Sequence, residues 1–151
     1  MSGFVNISEA VSLALHSMAL LAAKSGERLT TIDLAASLHA SEHHLAKVMR
    51  RLGRAGLVES ARGPRGGFAL NGNPRHTKLV SIFEAVDGPL QQPTCLLSEP
   101  LCKGDDCALG NVLCGLHTQV HDYLAETTLA QLAHKVGGPA ASVQDLSLIH
   151  I

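Results

Sequence analysis

Apolar residues return every three or four positions in three separate runs over the first 55 residues, and a residue able to cap a helix precedes each run. Asn6 and Glu9 have capping-box spacing. Behind them Val11, Leu15, Met18 and Leu21 or Ala22 predict a first helix over about 7–24, ended by Ser25-Gly26-Glu27. Thr30 followed by Asp33 opens a short second helix over 31–38, with Ile32, Leu34, Ala35 and Leu38 toward the core. After the tight link His39-Ala40, Ser41 caps a third helix running to about Ala55. Its Leu45, Val48, Met49 and Leu52 point inward, and Lys47, Arg50, Arg51 and Arg54 point outward. Gly56 stops it.

The pattern then shortens. Leu57–Ser60 and Phe68–Leu70 predict two strands, joined by Ala61-Arg-Gly-Pro-Arg-Gly-Gly67, a Gly/Pro turn with Arg62 and Arg65 at its tip. Asn71-Gly-Asn-Pro74 is a connector, and Thr77 starts a fourth helix with Leu79, Val80, Ile82, Phe83 and Val86 as core, ended by Gly88-Pro89. A polar segment follows. From about Ala108 to Ala125 a long helix carries Leu109, Val112 or Leu113, Leu116, Val120 and Tyr123 or Leu124 on one stripe, which suits a dimer seam or a core-facing helix. Thr128 with Gln131 caps a last short helix ending at Gly137-Gly138-Pro139. The expected fold is mainly α with a small β-wing, a winged helix-turn-helix followed by a long C-terminal helix. Residues 1–75 form the winged-helix region, 76–137 the cysteine loop and later helices, and 138–151 a tail, within one compact domain. The final six residues, Leu146–Ile151, match what a sequencing adaptor would encode, so read-through is expected there in place of the natural C-terminus.

Charge sharpens this picture. Residues 1–75 hold nine Lys or Arg against five acids, a balance of +4, whereas residues 76–151 hold three against eight, a balance of -5. Most of the positive charge lies between 41 and 75, where a helix face and a glycine-rich turn present it together, as a polyanion partner requires. Glycines let the backbone approach a phosphodiester chain, and Arg62 and Arg65 can reach a minor groove. The first apolar stretch is interrupted by His16 and Lys24 and lacks a cleavage site, so a cytoplasmic protein without membrane spans is expected. No cofactor-binding loop, paired catalytic carboxylates or nucleophile elbow is present, so neither an enzyme nor a small-molecule substrate is expected.

All four cysteines fall within twenty positions: Cys95, Cys102, Cys107 and Cys114. In a reducing compartment clustered thiols are better suited to metal ligation or redox sensing than to structural disulfides. Spacings of six and four residues, with Pro100 and Gly104 shaping the loop, let thiolates converge on one iron-sulfur centre. The paired knuckles of a structural zinc site are missing, while zinc and a bare thiol switch stand as alternatives.

The run Leu45–Ser60 leading into Arg62-Gly-Pro-Arg-Gly-Gly-Phe68, followed by the cysteine loop, resembles the signature of the Rrf2 family of bacterial winged-helix regulators, in its iron-sulfur (IscR-, NsrR- and RirA-like) form. The resemblance covers about Asn6 to Ala133. It implies a homodimer that binds double-stranded DNA, with an iron-sulfur cluster, 2Fe-2S or 4Fe-4S, near the dimer interface. By match to the family's motif, Ser41, His43, His44 and Lys47 on the recognition helix and Arg62 and Arg65 on the wing are implied DNA contacts, beside Arg50 and Arg51 on the basic face. His43 and His44, being adjacent, point in different directions and suit hydrogen bonds to phosphate or base edges better than a shared metal. Cys95, Cys102 and Cys107 match the three ligands. Relatives with a histidine three residues after the third cysteine differ from this chain, which has Gly110 there; the fourth ligand is open between Ser12, His16 and Cys114. The resemblance implies a transcription regulator, a repressor, that senses nitric oxide, redox state or iron-sulfur supply. A metal-free regulator within the family and an iron-sulfur carrier or redox protein are the alternatives.

Overall fold

The computed structural model describes residues 7–92, 95, 97, 99, 101 and 107–137. The expected tail lies outside the described residues.

Among the described residues, six helices and one hairpin follow in the order α1 (Glu9–Ala23), α2 (Thr31–Leu38), α3 (Glu42–Arg54), β1 (Val58–Ala61), β2 (Gly67–Leu70), α4 (Leu79–Asp87), α5 (Ala108–Glu126) and α6 (Leu129–Gly137). The mainly α architecture with a small β-wing is as expected. Ser8, not Asn6, caps α1: its hydroxyl accepts from the Val11 amide at 3.1 Å, and Asn6 lies outside the described residues. At α2 the expected capping box is complete, with the Asp33 amide on Thr30 Oγ1 at 3.1 Å and the Thr30 amide on Asp33 Oδ2 at 2.9 Å. Thr128 and Gln131 exchange the same pair of bonds before α6. Thr77 does not start α4. Lys78 is its N-cap, while the Thr77 carbonyl accepts from the Leu129 amide at 2.7 Å and so stitches the start of α4 to the start of α6.

The core centres on α1, whose Val11, Ala14, Met18 and Leu21 are buried among Leu34 of α2, Leu45, Val48, Met49 and Leu52 of α3, and Ile82 and Phe83 of α4. Helix α1 touches α2, α3, α4, α6 and β2, so it is the post around which these elements are assembled. Ile32 was expected inside but is 63% exposed. Helix α2 meets α1 and α3 on one side only, so its eight residues bury one narrow stripe, Leu34 and Ala35, and Ile32 falls off it. On α5, Leu113 and Leu124 are buried, Leu116 and Val120 are half-buried, and Leu109, Val112 and Tyr123 are exposed. The expected stripe therefore divides into a core-facing edge and an uncovered edge. No helix among the described residues is long and apolar enough to cross a membrane.

Candidate nucleic-acid interface and cysteine loop

The turn between α2 and α3 is set by His39, which ends α2 in the left-handed region at φ 52°. Ser41 then caps α3 as its sequence position predicts, its hydroxyl accepting from the His44 amide at 3.4 Å, which directs the side chain to the helix end. At 100° per residue the outward direction of α3, opposite Leu45, Val48, Met49 and Leu52, is shared by His43, Lys47, Arg50 and Arg54, all exposed. Arg50 Nε bonds the Ala46 carbonyl one turn back at 3.4 Å, laying its stem along the helix surface.

Two of the expected DNA contacts turn elsewhere. His44 is half-buried with Nδ1 3.9 Å from Glu9 Oε1 of α1. Arg51 Nη1 donates to the Val86 carbonyl in the last turn of α4 at 3.0 Å. Both lie on the flank of α3, about 90° (His44) and about 70° (Arg51) from the centre of the outward stripe, where they meet the neighbouring helices. Arg54 was not among the candidate contacts. The same 3.6-residue count that groups Lys47 with Arg50 would have included it.

The wing is anchored at its base. The Leu57 amide bonds the Leu52 carbonyl at 3.0 Å, and Asn71 Nδ2 reaches the Gly56 carbonyl at 2.8 Å, so the hairpin is tied to the end of the recognition helix. Its strands are antiparallel with Val58 opposite Leu70 and Ala61 opposite Gly67. Leu29 adds a third rung on the far side: its amide donates to the Phe68 carbonyl at 3.0 Å and its carbonyl accepts from the Phe68 amide at 2.7 Å. One bridging residue carries no periodicity, so the sequence showed no sign of it. Arg62 and Arg65 are exposed at the tip, around a turn closed by the Gly66 amide on the Gly63 carbonyl at 2.9 Å. Recognition-helix cations and wing cations thus stand on two elements held to one another by backbone bonds.

The cysteine loop runs from Gly88 into α5. Cys95 and Cys107 are uncrosslinked and half-buried. Each sulfur accepts a backbone N–H: Cys95 from Leu97 at 3.4 Å, and Cys107, the N-cap of α5, from Gly110 at 3.3 Å. Cys102 lies outside the described residues. Among the described residues no three potential ligands gather around a common point. Sulfurs that are half-buried and receive N–H bonds suit iron-sulfur ligation, since such bonds stabilise thiolate charge and tune the centre. The donor set fits. Of the candidates for a fourth ligand, Cys114 is half-buried on α5 and its sulfur is contacted by the side-chain amide of Gln92, in the segment after α4. His16 is exposed with Nδ1 2.7 Å from the Ser12 carbonyl; donating there fixes the ring and leaves the Nε2 lone pair outward. Ser12 is half-buried on the preceding turn.

The sequence profile of the Rrf2 family, described as iron-dependent transcriptional regulators, matches residues 7–135. An HTH-type transcriptional regulator of Aquifex aeolicus is 32% identical over 129 residues, covering 83% of this chain and 89% of that protein. The HTH-type transcriptional regulator NsrR of Geobacillus kaustophilus is 32% identical over 112 residues, covering 74% of this chain and 73% of NsrR. Among solved structures, CymR, the global cysteine regulator of B. subtilis, superposes with a TM-score of 0.74 at 29% identity, over 87% of this chain and 98% of CymR. These relatives are regulators and not enzymes. By its winged helix, its basic face and a profile match spanning nearly its whole described length, the chain belongs to the Rrf2 family of DNA-binding transcriptional regulators.

Proposed function

We propose that the chain acts as a cytoplasmic homodimeric repressor whose Cys95, Cys102 and Cys107 hold an iron-sulfur cluster, of 2Fe-2S or 4Fe-4S type, and that it thereby senses nitric oxide, redox state or iron-sulfur supply. The observation that carries this reading is the pair of half-buried, N–H-bonded sulfurs at Cys95 and Cys107, flanking Cys102 in a family described as iron-dependent. Ser12, His16 and Cys114 remain the three candidates for the fourth ligand. When bound, the cluster supplies one-electron and nitric-oxide reactivity that the side chains lack.

The remaining steps belong to the chain itself. His43, Lys47, Arg50 and Arg54 face the major groove, and Arg62 and Arg65 follow the backbone or minor groove beside it. A dimer presents this set twice, so its affinity depends on the separation of the two recognition helices. Because Cys107 begins α5, whose uncovered edge is the expected seam, a change at the loop alters that separation.

A fluorescent duplex selected by the protein from a random library tests this. Anaerobically purified protein binds it with an affinity that changes on exposure to nitric oxide or on iron chelation; unchanged affinity overturns sensing. A thiol switch at the same cysteines is the second reading, favoured by the fold shared with CymR. It predicts regulation by oxidant in protein that contains no iron.

A further inference from the structure

The chain leaving α4 is held at three points in seven residues. At its start, the Val86 carbonyl accepts from Arg51 Nη1 of the recognition helix at 3.0 Å. In its middle, the Leu90 carbonyl is 3.1 Å from His117 Nε2 of α5, which donates to it. Near its end, the Gln92 side-chain amide contacts the Cys114 sulfur, also on α5 and one turn before His117. Three residues later comes Cys95.

These bonds are specific in kind. Val86 lies in the last turn of α4, where carbonyls have no partner within the helix, and a cation there also meets the negative end of the helix. Arg51 comes from 35 positions earlier in the chain and is the one flank arginine of α3 directed at α4. Gly88, at φ 77°, turns the backbone out of the helix so that Leu90 and Gln92 meet α5. A path of a few residues between fixed points has little slack, since each residue spans at most about 3.5 Å. A displacement of α5 relative to α3 therefore pulls on the C-terminus of α4 through these points.

We infer that the segment Val86–Gln92 is the mechanical link between the cysteine loop and the recognition helix, with Arg51 and His117 as its positioning residues. Arg51 then serves DNA binding by fixing the angle of α3 in response to the loop, and touches no DNA. His117 clamps the segment to α5. The inference rests on the proposed sensing function and names the route by which that function reaches DNA.

The test compares cluster-loaded and iron-depleted full-length protein on the selected duplex, for wild type, Arg51→Met, Arg51→Lys and His117→Leu. Coupling of this type changes affinity by about five- to 150-fold between states. Arg51→Met and His117→Leu bring that ratio close to one while keeping the visible absorbance of the loaded protein; Arg51→Lys, which retains a donor for the Val86 carbonyl, keeps most of it. A purely structural role lowers the unfolding temperature and leaves the ratio as in wild type, which overturns the inference alone. A wild-type ratio of one overturns the sensing reading and the inference together.

Discussion

Gly67 stands so close to Leu29 that a Cβ on it would lie 2.8 Å from the Leu29 carbonyl oxygen, and its φ of +125° is one that side chains rarely adopt. The approach is what lets Leu29 pair with Phe68 as the third rung of the wing. Gly67→Ala therefore destabilises the protein by roughly 1–3 kcal/mol and loosens the wing. Gly72 is a control: its φ is +102° but nothing lies within 4 Å of its would-be Cβ, so Gly72→Ala costs less. Thermal unfolding of the two variants checks this, and equal losses would show that the contact with Leu29 is unimportant.

Arg54→Ala and Arg65→Ala should weaken DNA binding about equally on all sequences. Each should also lower the slope of log affinity against log salt by about 0.9, the value for one lost phosphate contact. Anisotropy titrations at several salt concentrations read both quantities. An Arg54→Ala slope equal to wild type contradicts the assignment of the His43, Lys47, Arg50 and Arg54 face to DNA.

The capping box before α2 makes a pH prediction. The Thr30 amide, then the Thr30 hydroxyl, bond the Asp33 carboxylate and hold its pKa below the ordinary 3.8, outweighing a small desolvation in the other direction. A depressed folded-state pKa stabilises the fold above the unfolded-state value, and this contribution disappears as pH falls through the lower folded value. The stability gap between wild type and Asp33→Ala is thus largest at neutral pH and shrinks in acid below that window. Thr30→Ala removes the reciprocal bond and costs about 1 kcal/mol. Urea unfolding at neutral and acid pH measures both; a gap that widens in acid contradicts the sign.

The uncovered edge of α5 carries Leu109, Val112 and Tyr123, exposed by 63%, 58% and 57%. If a second copy covers it, Val112→Asp shifts sedimentation from dimer to monomer and lowers DNA affinity, while Leu116→Ala, on the half-buried side, destabilises the fold instead. A Val112→Asp protein that sediments as wild type would remove α5 from the interface.

Much of this architecture was legible because local chemistry sets it. The Thr30–Asp33 and Thr128–Gln131 pairs mark helix starts through bonds between near neighbours, and the Gly/Pro turn with Arg62 and Arg65 marks the wing. Tertiary choices were not. Whether Ile32 is covered, whether His44 and Arg51 face DNA or the neighbouring helices, and whether Leu29 joins the sheet all depend on partners distant in sequence. A basic residue on a helix flank has the same pattern whether its guanidinium meets a phosphate or a carbonyl. In the cysteine loop, the spacing identified the ligand candidates, and the N–H bonds to Cys95 and Cys107 add chemistry that spacing alone does not contain.

Cluster ligation by the cysteine loop is read directly from the visible absorbance spectrum of anaerobically purified protein together with its iron and acid-labile sulfide content, for wild type and Cys102→Ala. Wild-type protein shows a cluster spectrum with iron and sulfide, and Cys102→Ala loses both. Wild-type protein without iron or sulfide, or a Cys102→Ala protein with an undiminished spectrum, would contradict it.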